Sequence, residues 1–92
     1  MGMREAEMTL GEGKIVELNG CSGRIEVAGE STHIQFILAR RRTPANVGGH
    51  IEFRPLGNSP RAKVGDIVLF ECKEQSRPNY ATKWGLTADV GR

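Results

Sequence analysis

Apolar and polar residues alternate along this chain in short runs, each bounded by glycine, proline, asparagine or serine. The clearest is Arg24, Ile25, Glu26, Val27 and Ala28, the pattern of a half-buried strand. Before it, residues 14–18 read as a strand, and Asn19-Gly20 with Gly23 supplies a hairpin signal and room for a bulge. After it, Gly29 to Ser31 is a tight turn and residues 33–38 resume the alternation, so the first three strands form a meander. Residues 40–49 hold three arginines, a proline, an asparagine and two glycines and read as a loop. His50 to Arg54 alternates again until Pro55, and residues 56–63 make a second loop. Val64-Gly65-Asp66 introduces the strongest strand, 67–72. Residues 73–79 are a polar loop, and a last strand starts at Tyr80, extending past Gly85 toward residue 88.

The inward positions of these runs give an expected core of Ile15, Ile25, Val27, Ile34, Phe36, Val68, Phe70 and Cys72. The alternation leaves residues 1–12 as an N-terminal tail and 13–90 as one domain with 39–63 inserted. Five or six short strands in a chain of 92 residues are too few for a large sandwich, whereas a small barrel hides its edges and fills with few side chains. The expected fold class is therefore all-β.

Composition narrows this further. Twelve glycines and four prolines suit a turn-rich β chain, and the longest apolar run, Ile67 to Phe70, is far below the ~18 residues of a membrane helix. The first residues lack the apolar stretch of a secretory signal, so the expected location is cytoplasmic and no membrane partner is expected. Cys21 and Cys72 lie far apart with only His33 and His50 as further ligands, which is no metal pattern. Nucleophile elbow, zincin and phosphate-loop motifs are missing, so no enzyme and no cofactor is expected.

Net charge is only +2, but its distribution is uneven: residues 39–63 carry Arg40, Arg41, Arg42, Arg54, Arg61 and Lys63 against Glu52 alone. Such a stretch fits either a polyanion or a solvated, charged loop.

The order of pieces resembles the cold-shock domain, a five-stranded OB-fold barrel. Residues 13–19, Gly-Lys-Ile-Val-Glu-Leu-Asn, are similar to that family's first strand, Gly-x-Val-Lys-Trp-Phe-Asn. Residues 22–27 occupy the place of Lys-Gly-Phe-Gly-Phe-Ile, and His33-Ile34-Gln35-Phe36 that of Phe-Val-His-Phe. Residues 65–72 resemble the fourth strand, Gly-x-x-Val-x-Phe-x-Ile, and Arg77-Pro78-Asn79-Tyr80-Ala81 the entry to the fifth. The resemblance covers about residues 13–88 and implies a five- to six-stranded OB-fold barrel with an insertion between strands 3 and 4. An SH3-like barrel is the structural alternative. The resemblance also implies binding of single-stranded RNA or DNA on the first three strands. The family's stacking positions there hold Glu17, Arg24, Glu26, His33 and Gln35.

Other groups would then carry the contact. Arginine pairs with phosphate through a planar fork and stacks on bases. The candidate nucleic-acid contacts are Arg24, His33, Arg40, Arg41, Arg42, Arg54, Arg61, Lys63, Arg77, Tyr80, Lys83 and Trp84. Tyr80 and Trp84, four apart in a strand, make either a two-ring platform or, with Trp84 as the plug of one barrel end, part of the core. The competing function is a protein-interaction module or homodimer. Ile67 and Leu69 would point outward from the strongest strand, and their burial is worth roughly 3–6 kcal/mol.

Overall fold

The computed structural model describes residues 9–72 and 79–90. Seven strands follow one another: β1 (Thr9–Asn19), β2 (Ser22–Glu26), β3 (Ile34–Ile37), β4 (Thr43–Val47), β5 (His50–Arg54), β6 (Ile67–Cys72) and β7 (Lys83–Leu86). Short 3-10 turns follow β3 (Leu38–Arg40) and β7 (Thr87–Asp89), and the described residues include no α-helix. Five strands form one antiparallel sheet in the order β3-β2-β1-β6-β7, strongly curled into a half-barrel, while β4 and β5 form a separate hairpin. The insertion between β3 and β6 therefore contributes two strands, where the sequence pattern marked only His50–Arg54. The hairpin turn is Gly48-Gly49, with φ of 61° and 90°. Two successive left-handed residues close a two-residue hairpin with the twist of its strands, and glycine takes them without strain.

The interior of the curl holds Ile15, Ile25, Ile34, Phe36, Val68, Phe70, Cys72, Ala81, Trp84 and Leu86. Seven of the eight expected core residues are among them, and the eighth, Val27, packs half-buried against the cluster. β1 begins at Thr9, so residues 9–12, assigned to the tail from the sequence, are paired with β6 from Thr9↔Cys72 to Glu12↔Leu69. Residues 1–8 of that tail lie outside the described residues. Gly11 and Gly13 face the interior there, where Phe70 and Ile25 fill the room that side chains would take.

One irregularity decides which side chains face outward. The register of β1 against β2 shifts between Ile15 and Glu17, a bulge at Val16. A bulge inserts one residue and reverses the inward-outward alternation beyond it. Ile15 thus points into the core, and so does Leu18, while Glu17 and Asn19 turn to the outer face.

The two ends of the sheet approach each other along a seam. Gln35 N–H donates to the Asn79 carbonyl (2.8 Å), Ala81 N–H to Gln35 (2.7 Å), and Arg42 N–H to Trp84 (2.7 Å). Gln35 and Tyr80 form one parallel bridge here, and Arg41 and Trp84 another. The hairpin packs on β7 beyond this seam, with Pro44 buried over Gly85, where an added Cβ would lie 2.6 Å from the proline Cδ.

Both cysteines are free, Cys21 exposed and Cys72 buried. Burial, and secondarily the neighbouring Glu71 carboxylate, raise the Cys72 thiol above its ordinary value of 9.0. The native state then resists a proton loss that the unfolded chain undergoes freely. Stability from this group is intact below pH 9 and declines above it. Urea midpoints between pH 8 and pH 10 should fall with rising pH, and Cys72→Ala should flatten that part of the decline.

Gly13 gives a second test. A Cβ at this position would sit 2.6 Å from the Glu26 carbonyl oxygen, a backbone atom that cannot swing aside. Gly13→Ala should destabilise by about 1–3 kcal/mol, the usual range for overpacking, read as a lower urea midpoint. Gly57→Ala, where an added Cβ meets nothing within 4 Å, should leave the midpoint nearly unchanged.

Candidate binding groove on the outer face of the curled sheet

The register of three strands and the seam places four polar side chains in one row across the sheet. Glu17 pairs with Arg24, Arg24 with Gln35, and Gln35 with Tyr80. Asn19, Ser22 and Ile37 form the next row along. Together they line an open groove of about 360 Å³. Its charges are balanced locally: Arg24 Nε donates to Glu17 Oε1 at 2.8 Å, and Asn19 Nδ2 donates to Glu17 Oε2 at 2.8 Å. Both ion-pair partners remain solvent-accessible, at 52% for Arg24 and 36% for Glu17.

Of the candidate nucleic-acid contacts, this groove contains Arg24 and Tyr80. The residues added by the structure are Glu17, Asn19, Ser22, Gln35 and Ile37. Glu17 and Gln35 were visible in the sequence as occupants of stacking positions. The bulge that turns Glu17 outward leaves a signal only as a break in alternation at Val16.

The arginine run divides. Arg40 is exposed on the 3-10 turn. Arg41 is buried, its Nη2 donating to Asp89 Oδ2 at 3.3 Å, and its guanidinium lies 5.9 Å from the Trp84 ring centre. Arg42 is half-buried and donates through Nη1 to the carbonyls of Arg41 (2.8 Å) and Ala39 (3.2 Å). Arg41 is thus a structural ion pair and not a phosphate contact, because a guanidinium enclosed with a carboxylate cannot reach a ligand.

Trp84 is likewise withdrawn. It is fully buried against Phe36, ring centres 4.6 Å apart, and its indole N–H donates to the Ile37 carbonyl at 2.8 Å. The two-ring platform with Tyr80 does not form. Thr82, whose N–H and Oγ1 both donate to the Glu71 carbonyl, bends the chain between them. β7 starts only at Lys83, so strand alternation does not connect Tyr80 to Trp84.

The remaining candidates are scattered. Arg54 is exposed on β5 and bonds Glu52 at 3.4 Å, and Lys63 bonds Asp66 at 3.6 Å in the loop before β6. Arg61 is exposed in that loop, Lys83 is exposed on β7, and His33 is half-buried before β3. Arg77 lies outside the described residues. The parallel bridge between Arg41 and Trp84 sets the preceding residues, Arg40 and Lys83, at neighbouring positions of the seam. Neither makes an ion pair among the described residues.

On the opposite flank, Ile67 is 42% and Leu10 50% exposed, and Leu69 is half-buried. Lys14 stands beside Ile67 and Glu12 beside Leu69, so charges interrupt this apolar surface. No group of three metal-binding side chains occurs among the described residues. Comparison with family models, with curated proteins and with solved structures finds no match, and no family is assigned.

The buried pair has a measurable consequence. Removing one partner of a buried ion pair strands the other charge and typically costs about 3–5 kcal/mol. Arg41→Met should therefore destabilise strongly in urea unfolding. Arg41→Met combined with Asp89→Leu should recover much of that loss, because neither member of the pair is then left buried without its counter-charge.

Proposed function

We propose that the chain is a non-catalytic module that binds single-stranded nucleic acid on an OB-type barrel of the cold-shock kind. The observation that carries this reading is the open groove across β1, β2 and β3, with Tyr80 beside it. The strand order β3-β2-β1-β6-β7, with parallel bridges between its two ends, is consistent with that barrel type. In this reading one base lies on Tyr80 and turns its edge to Gln35, the next residue in the row. Phosphates follow the seam to Arg40 and Lys83.

The contact thus differs from an arginine loop acting alone. Arg41 serves the fold, and the cations left for a strand are few. Such a module binds with modest affinity and clear salt dependence, since each phosphate contact releases counterions. A protein-interaction role is the second reading. It is favoured by the exposure of Leu10 and Ile67 on the shared outer face of β1 and β6.

Titration of a fluorescent mixed-sequence single-stranded RNA at low and moderate salt tests the first reading. Tyr80→Ala should weaken binding by roughly 5- to 150-fold, the range for one base-aromatic stack. Arg40→Ala with Lys83→Ala should lower the slope of log affinity against log salt by about 0.7 for each phosphate that is no longer neutralised. Absence of binding at both salt concentrations would reject nucleic acid and leave the protein-interaction reading.

A further inference from the structure

The seam engages both outer strands of the main sheet, but the hairpin keeps an open edge along β5. Gly48-Gly49 closes a two-residue turn, which makes Val47 and His50 a hydrogen-bonded pair. Such pairs alternate with non-hydrogen-bonded ones along an antiparallel ladder. Ala45–Glu52 is then bonded, whereas Asn46–Ile51 and Pro44–Phe53 are not. Pro44, which has no N–H to give, fits that phase. The N–H and C=O groups of Ile51 and Phe53 therefore point away from β4. Among the described residues, no backbone bond outside the strand ladders uses them. The loop after β5 turns the other way, with Gly57 N–H donating to Thr43 Oγ1 on β4 at 3.4 Å.

Exposed edges are commonly blunted by proline or lysine. β4 has Pro44 on its outer edge, whereas β5 has neither residue. Its side chains alternate instead, with exposed His50, Glu52 and Arg54 on one face and half-buried Ile51 and Phe53 on the other. Glu52 has only long contacts within its own strand, 3.4 Å to Arg54 and 3.8 Å to His50. We propose that β5 pairs antiparallel with β5 of a second copy of this chain, about a two-fold axis at Phe53. In that register Glu52 stands opposite Arg54 of the partner subunit, and Arg54 opposite Glu52 of the partner subunit. The two Phe53 rings meet as a cross-strand aromatic pair. An axis at Glu52 would set two carboxylates face to face. An axis at Ile51 would need the N–H of Gly49, which already donates to Asn46 Oδ1 at 3.3 Å. The edge is thus complementary in charge to itself, and this commits it to a second copy. The two hairpins join into one sheet, remote in sequence from the groove and sharing no residue with it.

Sedimentation equilibrium of the full chain tests this pairing. The mass should rise toward twice the monomer value as concentration approaches the millimolar range, since so short an edge makes a weak dimer. Glu52→Arg alone and Arg54→Glu alone should each raise the dissociation constant about 10-fold or more, because both cross-strand pairs become like-charged. Mixing these two variants should restore association, as each supplies the charge that the other lacks. The double variant Glu52→Arg with Arg54→Glu should self-associate like the parent chain. Ile51→Pro removes an outward N–H and no bond of the hairpin, and should also weaken the dimer. Glu52 and Arg54 are solvent-accessible, and circular dichroism should report an unchanged fold for their variants.

A monomer at every concentration would overturn the proposal. A dimer left intact by both single variants would overturn it too, and would place the contact on another surface, such as that of Leu10 and Ile67. Weakening by the single variants without rescue in their mixture would overturn the axis at Phe53. None of these outcomes bears on nucleic-acid binding in the groove.

Discussion

The fold depends on how Trp84 is buried. An indole enclosed in a small core brings a large apolar surface and one N–H that must find an acceptor. Here the acceptor is the Ile37 carbonyl at the end of β3, 2.8 Å away. Meeting that requirement brings the last strand of the sheet against the third and so defines the curl. It also places Arg41 over the ring, at the root of the insertion. A guanidinium taken out of water needs a counter-charge, and Asp89 on the turn after β7 supplies it. One buried side chain thus links β3, the insertion and the C-terminal turn, and the backbone bonds of the seam follow the same line.

The curl also needs thin positions on its inner face. Gly11, Gly13 and Gly23 let Phe70, Ile25 and Phe36 occupy space next to the backbone of β1 and β2. The bulge at Val16 belongs to the same geometry. It keeps Ile15 and Leu18 on the core side of a bent strand and sends Glu17 outward into register with Arg24. The chemistry of the groove is therefore a by-product of how β1 bends, and a straight β1 would have turned the Glu17 carboxylate toward the core.

This division explains what the sequence could be read for. β2, β3 and β5 were legible from alternation and β6 from its continuous apolar run; the inward residues of β2, β3 and β6 are in the observed core, whereas Ile51 and Phe53 of β5 stay half-buried outside it. β4 was not, since Pro44 and Asn46 are poor strand formers. They are accommodated because Pro44 lies on Gly85 and the hairpin is an edge element. The start of β1 was hidden by Gly11 and Gly13, which look like turn residues until the phenylalanine and isoleucine opposite them are known. Arg24, expected as a contact from its place in the resemblance, and Tyr80, expected from its spacing to Trp84, both line the groove, although the Tyr80–Trp84 platform itself does not form. The burial of Arg41 and Trp84 was not, because it arises from partners 48 and 47 residues away along the chain, which no local pattern encodes.

The balance of charge in the groove bears on what a ligand gains there. A cold-shock-like face that binds by stacking draws affinity from several rings, and this groove has Tyr80 beside a buried Phe36. A paired glutamate and arginine adds little attraction for a polyanion, because the pair is neutral and the carboxylate repels phosphate. The fold builds this arrangement. The bend of β1 at Val16 brings the Glu17 carboxylate into register with Arg24, and three of the five aromatic rings, Phe36, Phe70 and Trp84, are taken into the core. The outer face is therefore left with a neutral polar pair at one end of its row and Tyr80 at the other.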